Sequence, residues 1–177
     1  MNSDYWYVFF VRTGQEQKAA DQIKTAFEVD EVTHLKFLSE TLFRKSGYVT
    51  KEVKLMFPGY VFIATKIRND EFVGRSLDCV HKSKYIVKLL CYDDTHQAAM
   101  SSEEQAALDW LVQDNHCIEV SKGFIIGDRV IVTDGPLVGR ESIIKGIDRH
   151  KMKAVIELEF MGGVRQMKVS LEIVERV

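Results

Sequence analysis

Residues 6–27 read WYVFFVRTGQEQKAADQIKTAF, and the hydrophobic period changes inside them. Up to Arg12 the residues are β-branched or aromatic, with Trp6, Val8 and Phe10 on one side and Tyr7, Phe9 and Val11 on the other, which predicts a strand over 6–12. Beyond Gly14, Ala19, Ile23, Ala26 and Phe27 recur at helical spacing. Thr13 followed by Glu16 forms the pattern of a capping box, so an amphipathic helix is expected over about 14–28. One short stretch thus feeds a strand straight into a helix, and the strand is apolar on both faces.

The same two-sided strand recurs in FPGYVFI, residues 57–63. Pro58 cannot donate to a ladder and holds Phe57 extended, which places the pair at a strand entrance or edge. Gly59 permits a sharp turn, after which Tyr60 and Phe62 point one way and Val61 and Ile63 the other. Helices or loops bury one such face. The other is either buried by the hairpin and loops or left open as an aromatic patch for a partner.

Between these strands, HLKFL and VTKEVKL flank the polar turn RKSG and predict a hairpin within 33–56. Asn69 is the expected N-cap of a short second helix, YIVKLL (85–90) a further strand, and Ser101 with Glu104 the capping box of a third helix carrying Ala107, Leu108 and Leu111 on one face. From Gly127 the helical period disappears. DRVIVTD, ESIIKGID, KAVIELEF and RQMKVSLEIV alternate with period two, so four short strands with Gly-rich turns predict a small barrel. The expected organisation is a first domain over 1–112, a short link over 113–122, and a second domain over 123–177.

Composition bounds the function. The 177 residues are 46% hydrophobic and 28% charged, ordinary for a globular chain. No apolar run has the length of a membrane span and no basic segment precedes the apolar run near the N-terminus, so a soluble cytoplasmic protein is expected. Cys79, Cys91 and Cys117 are odd in number and make no C-x-x-C, which argues against a disulfide framework, and His116-Cys117 lacks a second ligand pair at zinc spacing. No metal and no cofactor are expected. Walker A, G-x-S-x-G and H-E-x-x-H patterns are absent, and the five histidines are scattered, so no enzyme is expected. A net charge of −2 excludes a globally basic nucleic-acid binder, and any such contact must come from a local cluster.

WYVFFVRTGQEQKAADQI, FPGYVFI and GDRVIVTDGPLVGRESIIKGID, in that order along nearly the whole chain, closely resemble the NusG family of transcription elongation factors. The first two fall in its N-terminal (NGN) domain and the third in its KOW motif, with Gly127-Asp128 opening the barrel and Gly135-Pro136 and Gly139 at the turn. The resemblance implies an α+β fold: an NGN domain with a mainly antiparallel sheet and helices on one face, then a small SH3-like β-barrel KOW domain. It also implies a function. The second sheet face seats on the clamp helices of the RNA polymerase largest subunit, and Trp6, Phe10, Phe57, Tyr60 and Phe62 stand at the family's aromatic positions. No chemistry is catalysed; the bound factor suppresses pausing.

The chain departs from the housekeeping pattern. FMGGVRQMKVSLEIV replaces the family's usual late run, the link is short, and IDRHKMKAV is a basic turn, features that resemble LoaP-type antiterminators acting on particular operons. Contacts to the helicase Rho or to a ribosomal protein are the housekeeping alternative, and an RNA-binding module outside transcription is the rival from another class. Arg149, His150, Lys151 and Lys153 fall within five residues, with Arg140 and Lys145 on the neighbouring hairpin and Arg165 and Lys168 on the last. Such runs are usually solvated loop charges. A compact basic loop on a rigid barrel also suits the phosphates of a structured leader RNA, and these eight are the RNA-binding candidates. Arg12, Lys18 and Arg75 are the candidates for contact with non-template DNA. A monomer without membrane association is expected.

Overall fold

The computed structural model describes residues 4–93, 95–112 and 116–174. Residues 113–115 of the expected link lie outside the described residues, as do the outermost residues of both expected domains. The elements run β1 (Tyr5–Val11), α1 (Glu16–Lys24), β2 (Val32–Leu35), β3 (Leu38–Lys45), β4 (Tyr48–Leu55), β5 (Tyr60–Thr65), α2 (Asn69–Lys82), β6 (Ile86–Leu89), α3 (Ser102–Val112), β7 (Cys117–Ile118), β8 (Ser121–Ile126), β9 (Arg129–Asp134), β10 (Ile144–Asp148), β11 (Lys153–Phe160) and β12 (Gly163–Ile173). The fold is α+β. Two compact units emerge, one from residues up to Lys36 with Phe57–Gln105 and Phe160–Gly162, the other from Phe37–Met56, Ala106–Glu159 and Gly163 onward.

The first unit is built on an antiparallel sheet in the order β2-β5-β1-β6. Strict alternation along β1 and β5 turns Tyr7, Phe9, Val11, Val61 and Ile63 to one face, where Ala19, Ala20 and Ile23 of α1 and Phe72 of α2 cover them. Phe72 is the hub. Its ring stacks on Tyr7 at 3.7 Å between centroids and on Phe27 at 5.0 Å, and lies 6.0 Å from Phe9. Burying each such ring contributes roughly 1.5–3 kcal/mol, so this layer is the unit's main stabilisation. Burial raises the Tyr7 hydroxyl pKa well above its usual range, with smaller contributions from the charges of Tyr5 and Asp70, and the hydroxyl is satisfied by donating to the Ile67 carbonyl at 2.9 Å.

Three local expectations change. The Thr13–Glu16 capping box does not form: Gln15 occupies the N-cap position without a side-chain cap, and the Glu16 carboxylate is used elsewhere. α1 ends early because its last amides bond three residues back, Thr25 to Gln22 and Ala26 to Ile23, which tightens the final turn. α2, expected to be short, is the longest helix among the described residues, at 14 residues. Asn69 lies inside it rather than capping it; its side-chain oxygen accepts the Ala98 and Ala99 amides at 2.7 and 3.2 Å and its amide donates to the His96 carbonyl. The third helix does carry its capping box, with the Glu104 amide donating to Ser101 Oγ at 3.2 Å and the Ser101 amide to Glu104 Oε2 at 3.4 Å.

The second unit holds two sheets, β4-β3-β7 and β10-β11-β12-β8-β9. The segment read as one hairpin is divided: β2 joins the sheet of the first unit, while β3 and β4 pair from Leu38↔Leu55 to Lys45↔Tyr48 around a Ser46-Gly47 turn. Both turn residues have positive φ, 51° and 83°, as a two-residue hairpin loop requires. Part of the expected link is structured, since β7 runs parallel to β3. Among the described residues the all-β module contains five strands rather than four. The unforeseen β8 pairs in parallel with β12 and antiparallel with β9. At Gly135, φ is +91° and an added Cβ would meet Ser121 Cα at 2.6 Å, so this turn closes directly onto β8.

Candidate functional site

The sheet face opposite Phe72 gathers every aromatic expected at a docking patch. Cross-strand register places Phe10 opposite Tyr60, Val8 opposite Phe62 and Trp6 opposite Ala64. Phe10 and Tyr60 rings lie 5.4 Å apart, Phe57 and Phe62 5.0 Å apart. Phe160, which belongs to the same unit, packs on Phe57, Tyr60 and Phe62 at 5.7, 5.7 and 5.9 Å. Phe57 and Phe62 are consequently buried, Trp6 is buried as well, and the face reaches solvent through Phe10, 36% exposed, and half-buried Tyr60. Phe160 was absent from the sequence reading of this patch. It ends a strand whose alternation marks it only as a core position.

The turn that presents these rings has a specific construction. Tyr60 N donates to the Phe57 carbonyl at 3.2 Å, with Pro58 second and Gly59 third at φ +85°, which makes Phe57–Tyr60 a type II turn. A side chain at Gly59 would be strained in that conformation and would press on Thr13 Oγ1 at 3.2 Å. Both backbone groups of Gly59 are engaged: its carbonyl accepts from Val11 N at 2.8 Å, and its amide donates to Glu16 Oε1 at 2.8 Å. The same Oε1 accepts the Gly14 amide at 3.0 Å. Glu16 is buried, which pushes its carboxyl pKa up. The amides of Gly59, Glu16 itself and Gly14 outweigh burial, and the group sits below the usual carboxylate range. A buried, charged carboxylate therefore ties the start of α1 to the aromatic turn. Sequence offered only the helix-capping use of this residue.

The basic candidates divide. Lys151, Lys153 and Lys168 line a concavity of about 370 Å³ with Ile147 and Val155 as apolar wall and Asp148 at its edge. The loop is held by Asp148, which accepts the Lys151 amide at 2.9 Å and pairs with Lys151 Nζ at 3.6 Å; that amide bond, offset by desolvation, keeps the carboxyl below its usual range. Arg149 and His150 are exposed on the same turn. Lys145 is engaged by Glu157 at 3.7 Å, and Arg140 lies 4.0 Å over the Trp110 ring. Arg165 is half-buried. In the first unit, Arg12 and Lys18 converge on Tyr85: the Arg12 amide donates to its carbonyl at 2.8 Å and Lys18 Nζ lies 5.7 Å over its ring. Arg75 stands apart, forked onto Glu31, bonded to Glu71 at 3.4 Å and stacked 4.6 Å over Phe27. No group of His, Cys, Asp and Glu with metal-binding geometry occurs among the described residues.

The family model for "Transcription termination factor nusG" matches residues 4–108. The chain is similar to the transcription termination/antitermination protein NusG of Rickettsia felis, 24% identical with 99% of this chain and 91% of that protein covered. It is also similar to NusG of Streptomyces virginiae, 27% identical over 86% of this chain, where it spans 57% of the relative's length. A solved structure titled "Domain interaction in Thermotoga maritima NusG" aligns with 97% of this chain and 94% of its own at 21% identity and a TM-score of 0.49. With its family model matched across the first sheet, all of α1 and α2 and the aromatic turn, the chain belongs to the NusG family of transcription termination and antitermination factors.

Proposed function

We propose that the chain binds transcribing RNA polymerase through the aromatic face of the first sheet and promotes processive antitermination on particular operons. In this reading residues 1–112 form the polymerase-binding NGN domain, 113–122 the link and 123–177 the KOW domain, and the protein works as a monomer. Phe10 and Tyr60 make first contact with the clamp helices of the largest subunit, and Trp6, Phe57 and Phe62 complete the pocket. The observation that carries the proposal is the Glu16–Gly59 tie, which fixes a type II turn so that two rings are presented at a set angle. Pre-organised aromatic anchors of this kind contribute on the order of 2–4 kcal/mol each at an interface.

Guidance by RNA is assigned to the Lys151, Lys153 and Lys168 concavity with exposed Arg149 and His150 beside it. Arg140, Lys145 and Arg165 play a lesser part. Arg12 and Lys18 are the residues proposed to approach non-template DNA, whereas Arg75 is committed to Glu31. The test is single-round transcription past terminators, with and without the leader of the protein's own operon. Leader-dependent readthrough that Tyr60→Ala abolishes is expected. Equal readthrough without the leader would assign the chain to the general factors that link polymerase to Rho or the ribosome. Retention of no polymerase by the wild-type chain would overturn the docking reading altogether.

A further inference from the structure

The β3–β4 hairpin carries an unusual surface. Every residue of β4 is exposed, Tyr48 at 77%, and β4 is the edge of its sheet. Edge strands are commonly protected by lysines, and Lys51 and Lys54 answer to that role, paired with Glu40 at 2.6 Å and Glu52 at 3.0 Å. Edge protection does not account for an exposed tyrosine at the tip.

Register explains what the tyrosine is beside. Lys45 pairs with Tyr48 and Phe43 with Thr50, so these four side chains share one face of the ribbon, with Phe43 diagonal to Tyr48. Lys54 and Thr41 lie on the same face nearer the base, and Lys54 Nζ sits 6.0 Å over the Phe43 ring. Two rings in sequence are thus bracketed by Lys45 and Lys54. Register turns Arg44 and Lys51 to the opposite face, while Glu52, opposite Thr41, lies on the ring face and engages Lys54 at 3.0 Å; at the tip Lys45 makes no ion pair among the described residues. The platform is rigid: the tight Ser46-Gly47 turn closes eight paired residues per strand, and the base is anchored by buried Leu42, whose amide donates to Ser170 Oγ at 3.0 Å.

We infer that this face binds single-stranded RNA, with bases stacking on Tyr48 and Phe43 and a phosphate meeting Lys45 at the tip. Stacking rings on a sheet, with cations along the strand path, accept unpaired bases of any sequence, whereas a duplex keeps its bases out of reach. Thr41 and Thr50 place hydroxyl oxygens among the rings, which a ribose 2′-hydroxyl can donate to and a deoxyribose cannot. This surface uses none of the residues of the Lys151–Lys168 concavity or of the aromatic docking face.

The test is fluorescence anisotropy of the full chain, without polymerase, against an unstructured oligouridine of about eight nucleotides, its deoxy counterpart and a duplex RNA. Tyr48→Ser is expected to weaken oligouridine binding about tenfold and Tyr48→Phe to leave it nearly unchanged, because stacking needs the ring and not the hydroxyl. At 77% exposure Tyr48 can be replaced without disturbing the core, and circular dichroism checks this. Lys45→Ala is expected to reduce the salt slope by about 1. Equal binding by wild type and Tyr48→Ser, equal affinity for the deoxy strand, or preference for the duplex would each overturn the assignment. Lys151→Ala/Lys153→Ala/Lys168→Ala is expected to keep oligouridine binding; its loss there alone would move the site to the concavity. The absence of polymerase makes failure here distinguishable from failure of the docking proposal.

Discussion

Replacing Glu16 tests whether the aromatic turn is held by a charge. Its Oε1 accepts two amides, and the Gly59 amide is buried. Hydrogen bonds to a charged acceptor contribute about 1.5–3 kcal/mol each, and stranding a buried amide costs a further ~1–3 kcal/mol. Part of this is recovered because Gly14 is exposed and water replaces the carboxylate there. Glu16→Ala should therefore destabilise the fold by about 2–4 kcal/mol, and Glu16→Gln, which keeps an acceptor oxygen, by about 1 kcal/mol. For a chain of this size that is roughly 4–16 °C in Tm for the alanine variant. Hydrogen exchange at Gly59 is the local readout, fast in Glu16→Ala and slow in wild type. The pH dependence has a definite sign. The folded-state pKa lies below the unfolded value, so the carboxylate's contribution is fully present above about pH 4.3 and is lost as pH falls through the lower folded value. The gap between wild type and Glu16→Gln should close in that acid window and stay constant above it. A Tm of Glu16→Ala within 1–2 °C of wild type, with Gly59 still protected, would refute the tie.

Phe72→Ala should cost about 3–5 kcal/mol, read by denaturant unfolding, because it removes the ring that Tyr7, Phe9 and Phe27 share. His34 is held down to about 4 by burial, with Lys36 and Lys24 adding to the effect, so stability present above about pH 6.5 should fall by about 2–3 kcal/mol as pH drops toward 4; His34→Gln should flatten that limb. Phe160→Ala removes a fully buried ring packed on Phe57, Tyr60 and Phe62 and should itself cost about 3–5 kcal/mol in denaturant unfolding, whereas Tyr60→Ala should weaken polymerase binding at least tenfold in a pull-down titration with the fold intact. Arg149→Ala/Lys151→Ala/Lys153→Ala should lower the salt slope for structured leader RNA by about 2–3 while leaving polymerase binding unchanged.

Periodicity made the first sheet legible. β1 and β5 alternate without exception, and the face assignment of Tyr7, Phe9, Val61 and Ile63 follows from that alone. Period-two segments likewise located β9 through β12. β8 escaped because Ser121, Lys122 and Gly123 break its alternation; it forms a local hairpin with β9, but its other partner is the distant β12, a pairing set by tertiary contact rather than local pattern. The two Thr/Ser-x-x-Glu patterns make the same point. Ser101–Glu104 closes on itself as a capping box, while Glu16 abandons Thr13 for the amide of Gly59, 43 residues away. The local difference is Gly14, at φ +82°, where the second pattern has the helical Ser102.

Charge was the least legible property, and the reason is geometric. A count of Lys and Arg treats Arg75, Arg140 and Lys151 alike, yet Arg75 is forked onto Glu31 and Arg140 is stacked on Trp110, while Lys151 faces a concavity with two other lysines. A cation already held by a carboxylate or a ring must break that contact before it meets a phosphate, and the loss offsets most of the gain. Interaction strength with nucleic acid therefore tracks the cations left uncommitted by the fold, not those in the sequence. Lys151 itself shows the limit, since its amide and ammonium both engage Asp148 and fix the loop that carries it. On this reasoning Asp148→Asn should raise the net charge of the concavity yet weaken RNA binding, because the loop loses a charged anchor. The Asp148 carboxyl lies below its usual range through the Lys151 amide, so the anchor persists at neutral pH and loosens only in acid. A titration in which Asp148→Asn binds leader RNA more tightly than wild type would show that field outweighs loop order.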